Sequence, residues 1–254
     1  MCLIFIALKN HPRYKLIVAA NRDEFYDRKT LPAAYWEDHP QILGGRDLQA
    51  SGTWLGMTKI GRICMVTNFR DLKNINPKAP SRGKLVTDFL LESSSGEKYL
   101  QNLETHAKRY NGFSLIAGTV DDLYYLSNYR EGVIILNSGL FGLSNHLLET
   151  PWPKVEKGKN EIQSLLKSPS VKREDLFEIL HDERVANDEN LPDTGVGLSR
   201  ERELSSAFIK SPGYGTRSST VIMVDYSNHV TFTERVFDPV TLGFSDQNFQ
   251  YKIS

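Results

Sequence analysis

The start of the chain constrains the fold most. Cys2-Leu-Ile-Phe-Ile-Ala-Leu8 is an unbroken apolar run, rich in β-branched and aromatic residues and too short for an ordinary helix. It reads as a buried strand. Lys15-Leu-Ile-Val-Ala-Ala20 reads the same way, and Asn10-His11-Pro12 between them is turn chemistry. Together they predict an antiparallel hairpin. Centred between His11 and Pro12, its paired positions sum to about 23, which sets Cys2 opposite Asn21 and brings Arg22 and Asp23 beside the chain start.

The same run occupies the place of a signal peptide but lacks a basic leading region. It is followed by Lys9-Asn-His-Pro-Arg-Tyr-Lys15, with no small-residue cleavage site. No segment approaches the ~20 apolar residues that cross a bilayer. Two cysteines in 254 residues cannot form a disulfide framework and favour a reducing compartment. The expectation is a mature cytoplasmic protein without a membrane span. Lys+Arg and Asp+Glu both number 31, so the basic excess of a phosphate-binding surface is missing and nucleic acid is not the expected partner. A charged content of 24% suits a globular chain, and the length suits one domain over residues 1–254. With neither CxxC nor HExxH and with scattered histidines, no metal or cofactor is expected.

Further along, a loop carries Pro32, Trp36 and Gly44-Gly45, and a second hairpin pairs Thr53–Thr58 with Arg62–Thr67 before Asn68-Phe-Arg-Asp71. Pro77, Pro80 and Ser81 mark a loop; Arg82–Ser93 then sets Leu85, Val86, Phe89 and Leu90 on one helical face, and Glu97–Tyr110 continues as helix. Strands are predicted at Phe113–Ala117, Leu123–Ser127, Val133–Leu136 and Leu140–Ser144, the last ending at Asn145. Helices at Lys154–Leu166 and Arg173–His181 precede a polar stretch, and the chain closes on a hairpin of Ser218–Asp225 and Val230–Val236. Strands, helices, strands, helices, strands: the order predicts an α+β layered fold with helices over largely antiparallel sheets.

Cys2 is the first candidate for chemistry. Removal of Met1 would place an α-amine, pKa ~7.7–8.0, on the same residue as a thiol of pKa ~8.5. That amine can take the thiol proton, so one residue serves as nucleophile and base. The alternative is a small hydrophobe at a strand start, which Cys64 fits better. Asn21-Arg22-Asp23-Glu24 follows the second strand of the hairpin. A guanidinium there favours thiolate or holds a substrate carbonyl or carboxylate, and a carboxylate there anchors an amine; the plainer reading is a solvated turn. Asn68, Asn145 and Arg217 each stand at the end of an apolar strand. Asparagine amides can act as oxyanion donors, although each alone also reads as a turn residue. The geometric expectation is that Arg22, Asn68, Asn145 and Arg217 line one pocket within roughly 8 Å of the Cys2 sulfur.

Other signals carry less. Gly195-Val-Gly197 and Gly213-Tyr-Gly215 lack the strand–glycine–helix pattern of a phosphate loop, and His146 has no nucleophile context of its own. His39, His106, His181 and His229 read as surface residues, and Trp36, Trp54 and Trp152 as core or pocket wall.

In these residues the sequence resembles the NRDE family, named for Asn21-Arg22-Asp23-Glu24, which includes the eukaryotic transport-and-Golgi-organisation protein. The resemblance runs through Gly45-Arg-Asp47, Gly52-Thr-Trp-Leu-Gly56, Thr67-Asn-Phe-Arg70, Ser81-Arg-Gly83, Gly142-Leu-Ser-Asn145, Thr150-Pro-Trp-Pro-Lys154, Leu191-Pro-Asp-Thr-Gly195 and Tyr214–Thr220. That family in turn resembles N-terminal-nucleophile hydrolases of the choloylglycine-hydrolase type, which implies an αββα sandwich. It implies cleavage of a linear C–N amide bond in a small-molecule substrate such as an N-acyl amide. In these terms Cys2 resembles the nucleophile, Arg22 the arginine beside it, Asp23 the amine-anchoring carboxylate, Asn68 and Asn145 the oxyanion asparagines, and Arg217 a distal arginine. The hydrolases space the early pair Arg-x-x-Asp, whereas Arg22 and Asp23 are adjacent. The resemblance implies an alternative too: a non-catalytic protein of haem or lipid handling or of trafficking, on the same scaffold.

Overall fold

The computed structural model describes residues 2–241 and 243–254. The chain opens on the hairpin β1 (Cys2–Leu8) and β2 (Tyr14–Phe25), followed by β3 (Thr30–Tyr35), β4 (Ile42–Asp47), β5 (Leu55–Thr58) and β6 (Arg62–Asn68). Helices α1 (Arg82–Leu91) and α2 (Gly96–Glu104) come next, then β7 (Phe113–Thr119), β8 (Leu123–Ser127), β9 (Ile134–Leu136) and β10 (Gly139–Leu143). Helices α3 (Pro153–Leu165), α4 (Arg173–Leu180) and α5 (Leu198–Glu203) lead into β11 (Lys210–Ser211), β12 (Tyr214–Asp225), β13 (His229–Phe237) and β14 (Phe244–Lys252).

These strands form two antiparallel sheets. The first has the order β10-β1-β2-β12-β13-β14, with β11 on β12; the second runs β3 to β9 in chain order. Strand alternation sorts the side chains into layers. Ile4, Ile6, Leu16 and Val18 point between the sheets and meet Met57, Ile63, Met65 and Ile116. Their neighbours Leu3, Phe5, Ile17 and Ala19 point outward and are covered by α3 and α4 through Val155, Ile162, Leu176 and Leu180. Across the molecule Cys64, Leu115 and Ala117 point out of the second sheet onto α1 and α2, where Leu85, Phe89, Leu100 and Leu103 cover them. The result is an αββα four-layer sandwich. Both faces of β1 are buried, which is why its seven residues are apolar without alternation.

The structure corrects several local expectations. The hairpin pairs Cys2 with Arg22 and Leu3 with Asn21, so paired positions sum to 24 instead of 23. Asn21-Arg22-Asp23-Glu24 does not follow the strand but lies within it, because β2 also pairs with β12 on its other side and stays extended to Phe25. The stretch around Pro32 and Gly44-Gly45 is β3 and β4, an antiparallel pair that tolerates Pro32 at a register irregularity on the sheet edge. The closing hairpin gains a third strand, β14, whose exposed alternate residues weakened its apolar signal. The polar stretch before β11 contains the short α5. Among the described residues no helix is long and apolar enough to cross a membrane.

Candidate active site

Alternation along β1 and β2 decides what surrounds Cys2. Ile4 and Ile6 point between the sheets, so Cys2, two residues earlier, points the same way. On β2, Ala20 and Val18 do likewise, which turns Arg22 toward Cys2 and turns Asn21 and Asp23 toward the helical layer. Asn21 accordingly donates from Nδ2 to the carbonyls of Leu180 and Ala207, both at 2.8 Å, and its Oδ1 accepts from Ser219 Oγ at 2.6 Å. Asp23 Oδ1 accepts from Thr216 Oγ1 at 2.7 Å. Arg22 spreads its guanidinium over the Trp54 ring at 4.1 Å.

Cys2 opens onto a cavity of about 260 Å³, whose lining includes Arg22, Asp23, Asn68, Trp54 and Arg82. The sulfur sits deep: Cys2 is 8% exposed and Arg22 is 5% exposed. Burial pushes the Cys2 thiol up, as does the charge of Asp23; Arg22 and a hydrogen bond from the Asp23 backbone oppose that rise. Burial also raises the Asp23 carboxyl, against which Lys154 is the largest opposing charge. Lys154, at the start of α3, is itself buried with Nζ on the carbonyls of Leu204 (2.8 Å) and Ser206 (3.4 Å), and burial pulls its ammonium down to about 8.

Asn68 lines this cavity, and its side-chain amide makes no hydrogen bond within the protein among the described residues. Asn145 and Arg217 lie outside the lining. Asn145 is fully buried one shell behind: its Nδ2 donates to the Asn68 carbonyl at 3.1 Å, and its Oδ1 accepts from Ser144 Oγ at 3.4 Å. Arg217 is the extra residue where the β2–β12 register shifts, and this bulge aims its Nη1 at the carbonyls of Phe25 (2.9 Å), Tyr26 (3.3 Å) and Arg28 (3.1 Å). It fastens the turn after β2. The expectation about Met1 lies outside the described residues.

Sequence reasoning passed over Arg82, the first residue of α1, and the Arg28–Asp47 pair (2.6 Å) on the same cavity. It also passed over Glu234, buried between the sheets. Glu234 Oε2 accepts from the Ala33 backbone at 2.6 Å and Oε1 from Ser218 Oγ at 3.3 Å, and burial lifts its carboxyl to about 7. The Ser81-Arg-Gly83 and Gly45-Arg-Asp47 blocks were the available signals. A second, more apolar cavity of about 430 Å³ adjoins the first through Glu24, Asn68, Arg82 and Asn111, with Phe25, Phe69, Leu72 and Ile75 in its wall.

The fold and this cleft define an αββα protein with a buried thiol and guanidinium at the head of its central hairpin. The family model described as "Transport and Golgi organisation 2" matches residues 1–239, and the chain belongs to that family. The human Transport and Golgi organization protein 2 homolog is 37% identical over 256 residues, covering 92% of each chain. The mouse homolog is 33% identical over 279 residues, covering 100% of this chain and 99% of its own. Among solved structures, a Caenorhabditis elegans N-acylethanolamine-hydrolyzing acid amidase ortholog aligns with TM-score 0.49 and 13% identity, over 87% of this chain and 92% of that one.

Proposed function

We propose that the protein is a cysteine amide hydrolase in which Cys2, freed by removal of Met1, is the N-terminal nucleophile. The observation that carries this reading is the Cys2–Arg22 pairing on one cavity that Asn68 also lines. The α-amine takes the thiol proton and the thiolate attacks the amide carbonyl. The C–N bond then breaks, the amine leaves with that proton, and water hydrolyses the thioester to the acid and the regenerated thiol. Arg22 favours the thiolate, offsetting part of the cost of its burial. Asn68 donates to the oxyanion, a role worth ~2.7–4 kcal/mol of barrier per donor, and Asn145 fixes Asn68 through its carbonyl. Asp23 orients the amine from the helical side, and Arg217 holds the turn that follows the arginine-bearing strand. The substrate is an N-acyl amide whose acyl part extends into the apolar cavity, and the protein acts in the cytoplasm.

Intact mass and turnover test this together. The expected result is a mature protein lacking Met1 that hydrolyses members of an N-acyl amide panel, with activity abolished by Cys2→Ala. Retained Met1 in active protein would remove the self-base mechanism. A second reading, a non-catalytic lipid-handling protein on the same scaffold, is favoured by the apolar cavity and by the upward push on the thiol. It wins if Cys2→Ala leaves ligand binding and cellular phenotype intact.

A further inference from the structure

Three of the four outer strands of the two sheets are protected at their free edge. β10 is capped by the turn that follows it: the Gly142 N–H donates to Glu149 Oε1 at 2.5 Å, and the Gly142 carbonyl accepts from the Glu149 backbone at 2.9 Å. β3 carries Pro32 and a register irregularity, and its Ala33 N–H is taken by Glu234 at 2.6 Å. β9 is only three residues long. Such devices keep an edge strand from pairing with another chain. β14 lacks them. It pairs with β13 over all nine residues without a register shift, contains no proline, and carries its one lysine, Lys252, at the very end. Among the described residues only β13 hydrogen-bonds its backbone. Antiparallel pairing turns the N–H and C=O of every second residue away from the neighbour, so β14 presents an open ladder about 30 Å long. Side chains hold the strand on both faces. Phe249 and Tyr251 pack on Tyr35 between the sheets, while Asp246 and Asn248 on the other face accept from Arg235 (2.9 Å) and Arg173 (2.7 Å).

We infer that β14 is the pairing edge for a second copy of this chain, joined antiparallel about a two-fold axis at Phe249. The strand is complementary to itself in that register. With Phe249 opposite its own copy, Asp246 meets Lys252 and Asn248 meets Gln250, each pair on one face of the joined sheet. Asp246 and Lys252 are the two charged residues of the strand, and they are of opposite sign. Asp246 keeps Arg235, and a carboxylate has lone pairs for a further donor. The ends of the strand agree as well. Val240 (88% exposed) and Phe244 (59%) stand at its start, and Ile60 (62%) stands beside its end, where the Ser254 N–H donates to the Lys59 carbonyl at 3.3 Å. Within one chain these apolar groups are a strand length apart. Antiparallel pairing brings the start of each strand to the end of the other, so that Phe244 lies opposite Ser254 and the exposed apolar groups are covered at both ends. A two-fold contact uses each of these patches twice. None of this depends on the hydrolase reading.

Sedimentation velocity on the full chain tests the pairing. The expected result is a reversible dimer with a dissociation constant of about 1–100 μM. Asn248→Lys/Gln250→Lys sets lysine against lysine on both sides of the axis. It is expected to weaken association at least about ten-fold, with the fold shown intact by its thermal transition. A second measurement reads the register. Mixing the Asn248→Cys protein with the Gln250→Cys protein under oxidised glutathione is expected to link one of each by a disulfide, since directly opposite residues lie within about 5.5 Å. Mixing Ser245→Cys with Gln250→Cys, which the register keeps apart, is expected to give no such product. A chain that stays monomeric at about 100 μM overturns the inference, as does a dimer that survives the two lysines or fails to cross-link through positions 248 and 250. A monomer that instead takes an extended peptide of another protein along β14 overturns it too.

Discussion

Asn145 and Asn68 join the two sheets at the site: the Asn145 side chain donates to the Asn68 carbonyl at 3.1 Å, and the Arg70 backbone N–H returns to the Asn145 carbonyl at 2.8 Å. Asn145 follows β10 of the first sheet and Asn68 ends β6 of the second. Thr67 Oγ1 adds a bond to the Ser144 carbonyl at 2.9 Å, and Ser144 Oγ reaches the Cys2 carbonyl at 3.3 Å. The nucleophile strand and the asparagine on the facing sheet are thus registered by one chain of hydrogen bonds.

Asn145→Ala breaks that link and leaves the Asn68 carbonyl short of its donor. Loss of a buried partner costs about 1–3 kcal/mol, to be read as a lower midpoint in urea unfolding. In the hydrolase reading, kcat falls more than KM rises, because Asn68 loses its position and not the substrate its cavity. A variant with normal stability and unchanged kcat would show the link to be idle.

Gly45→Ala is expected to damage the site without touching Cys2. A Cβ at Gly45 would come within 2.3 Å of Trp54 and 3.3 Å of Glu234 Oε1. Trp54 is the face on which Arg22 lies, so the ring can yield only by moving the guanidinium. Overpacking of this kind costs about 1–3 kcal/mol. The discriminating measurement is Trp fluorescence beside turnover: an unshifted emission with native activity would contradict the coupling.

Arg70 and Glu201 form a buried ion pair at 2.7 Å. Glu201 also accepts from the Thr194 backbone at 2.8 Å, so it ties the loop before α5 to the end of β6. Glu201→Ala leaves Arg70 charged and unpaired, for an expected loss of about 3–5 kcal/mol. Arg70 already has Nε and Nη2 without partners among the described residues, so the paired change Arg70→Met/Glu201→Leu should recover most of that loss. Equal destabilisation in the single and double variants would refute this account.

Glu234 should make the protein less stable as pH rises. Its folded pKa of about 7 lies above the ordinary 4.5, so between these values the folded state holds a proton that the unfolded state has lost. Stability from this group is complete below pH 4.5 and declines until pH 7, by ~3 kcal/mol if the shift is fully expressed. Glu234→Gln keeps an oxygen for the Ala33 N–H and removes the titration. The difference in unfolding free energy, variant minus unsubstituted protein, is expected to grow more favourable across that window and then level off. A pH-independent difference would place the pKa elsewhere.

Much of this was legible before folding was considered. The seven apolar residues of β1, the turn at Asn10–Pro12 and the helical face of Leu85, Val86, Phe89 and Leu90 are local patterns, and local periodicity is enough to encode burial. Cys2 near Arg22 follows from hairpin pairing alone, to within a one-residue shift of register. Period-two alternation also means that adjacent Arg22 and Asp23 must face opposite sides. The register expected from sequence, Cys2 opposite Asn21, would put Asp23 on the Cys2 face; only the observed pairing of Cys2 with Arg22 sets the guanidinium there.

Tertiary structure decided the rest. Asn68, Asn145 and Arg217 look alike in sequence, each a polar residue at a strand end, yet one lines the cavity, one braces it from behind and one clamps a turn through a bulge. Arg82 showed only as part of the Ser81-Arg-Gly83 block, because its place on the Arg22 cavity depends on how α1 and the two sheets pack. Glu234 shares a strand face with Val230 and Phe232, but only β3 supplies the Ala33 N–H that satisfies its carboxyl there. A sequence specifies which face of each element is apolar. Which polar groups are then left together, and which of them lack a partner, is fixed only when the faces meet.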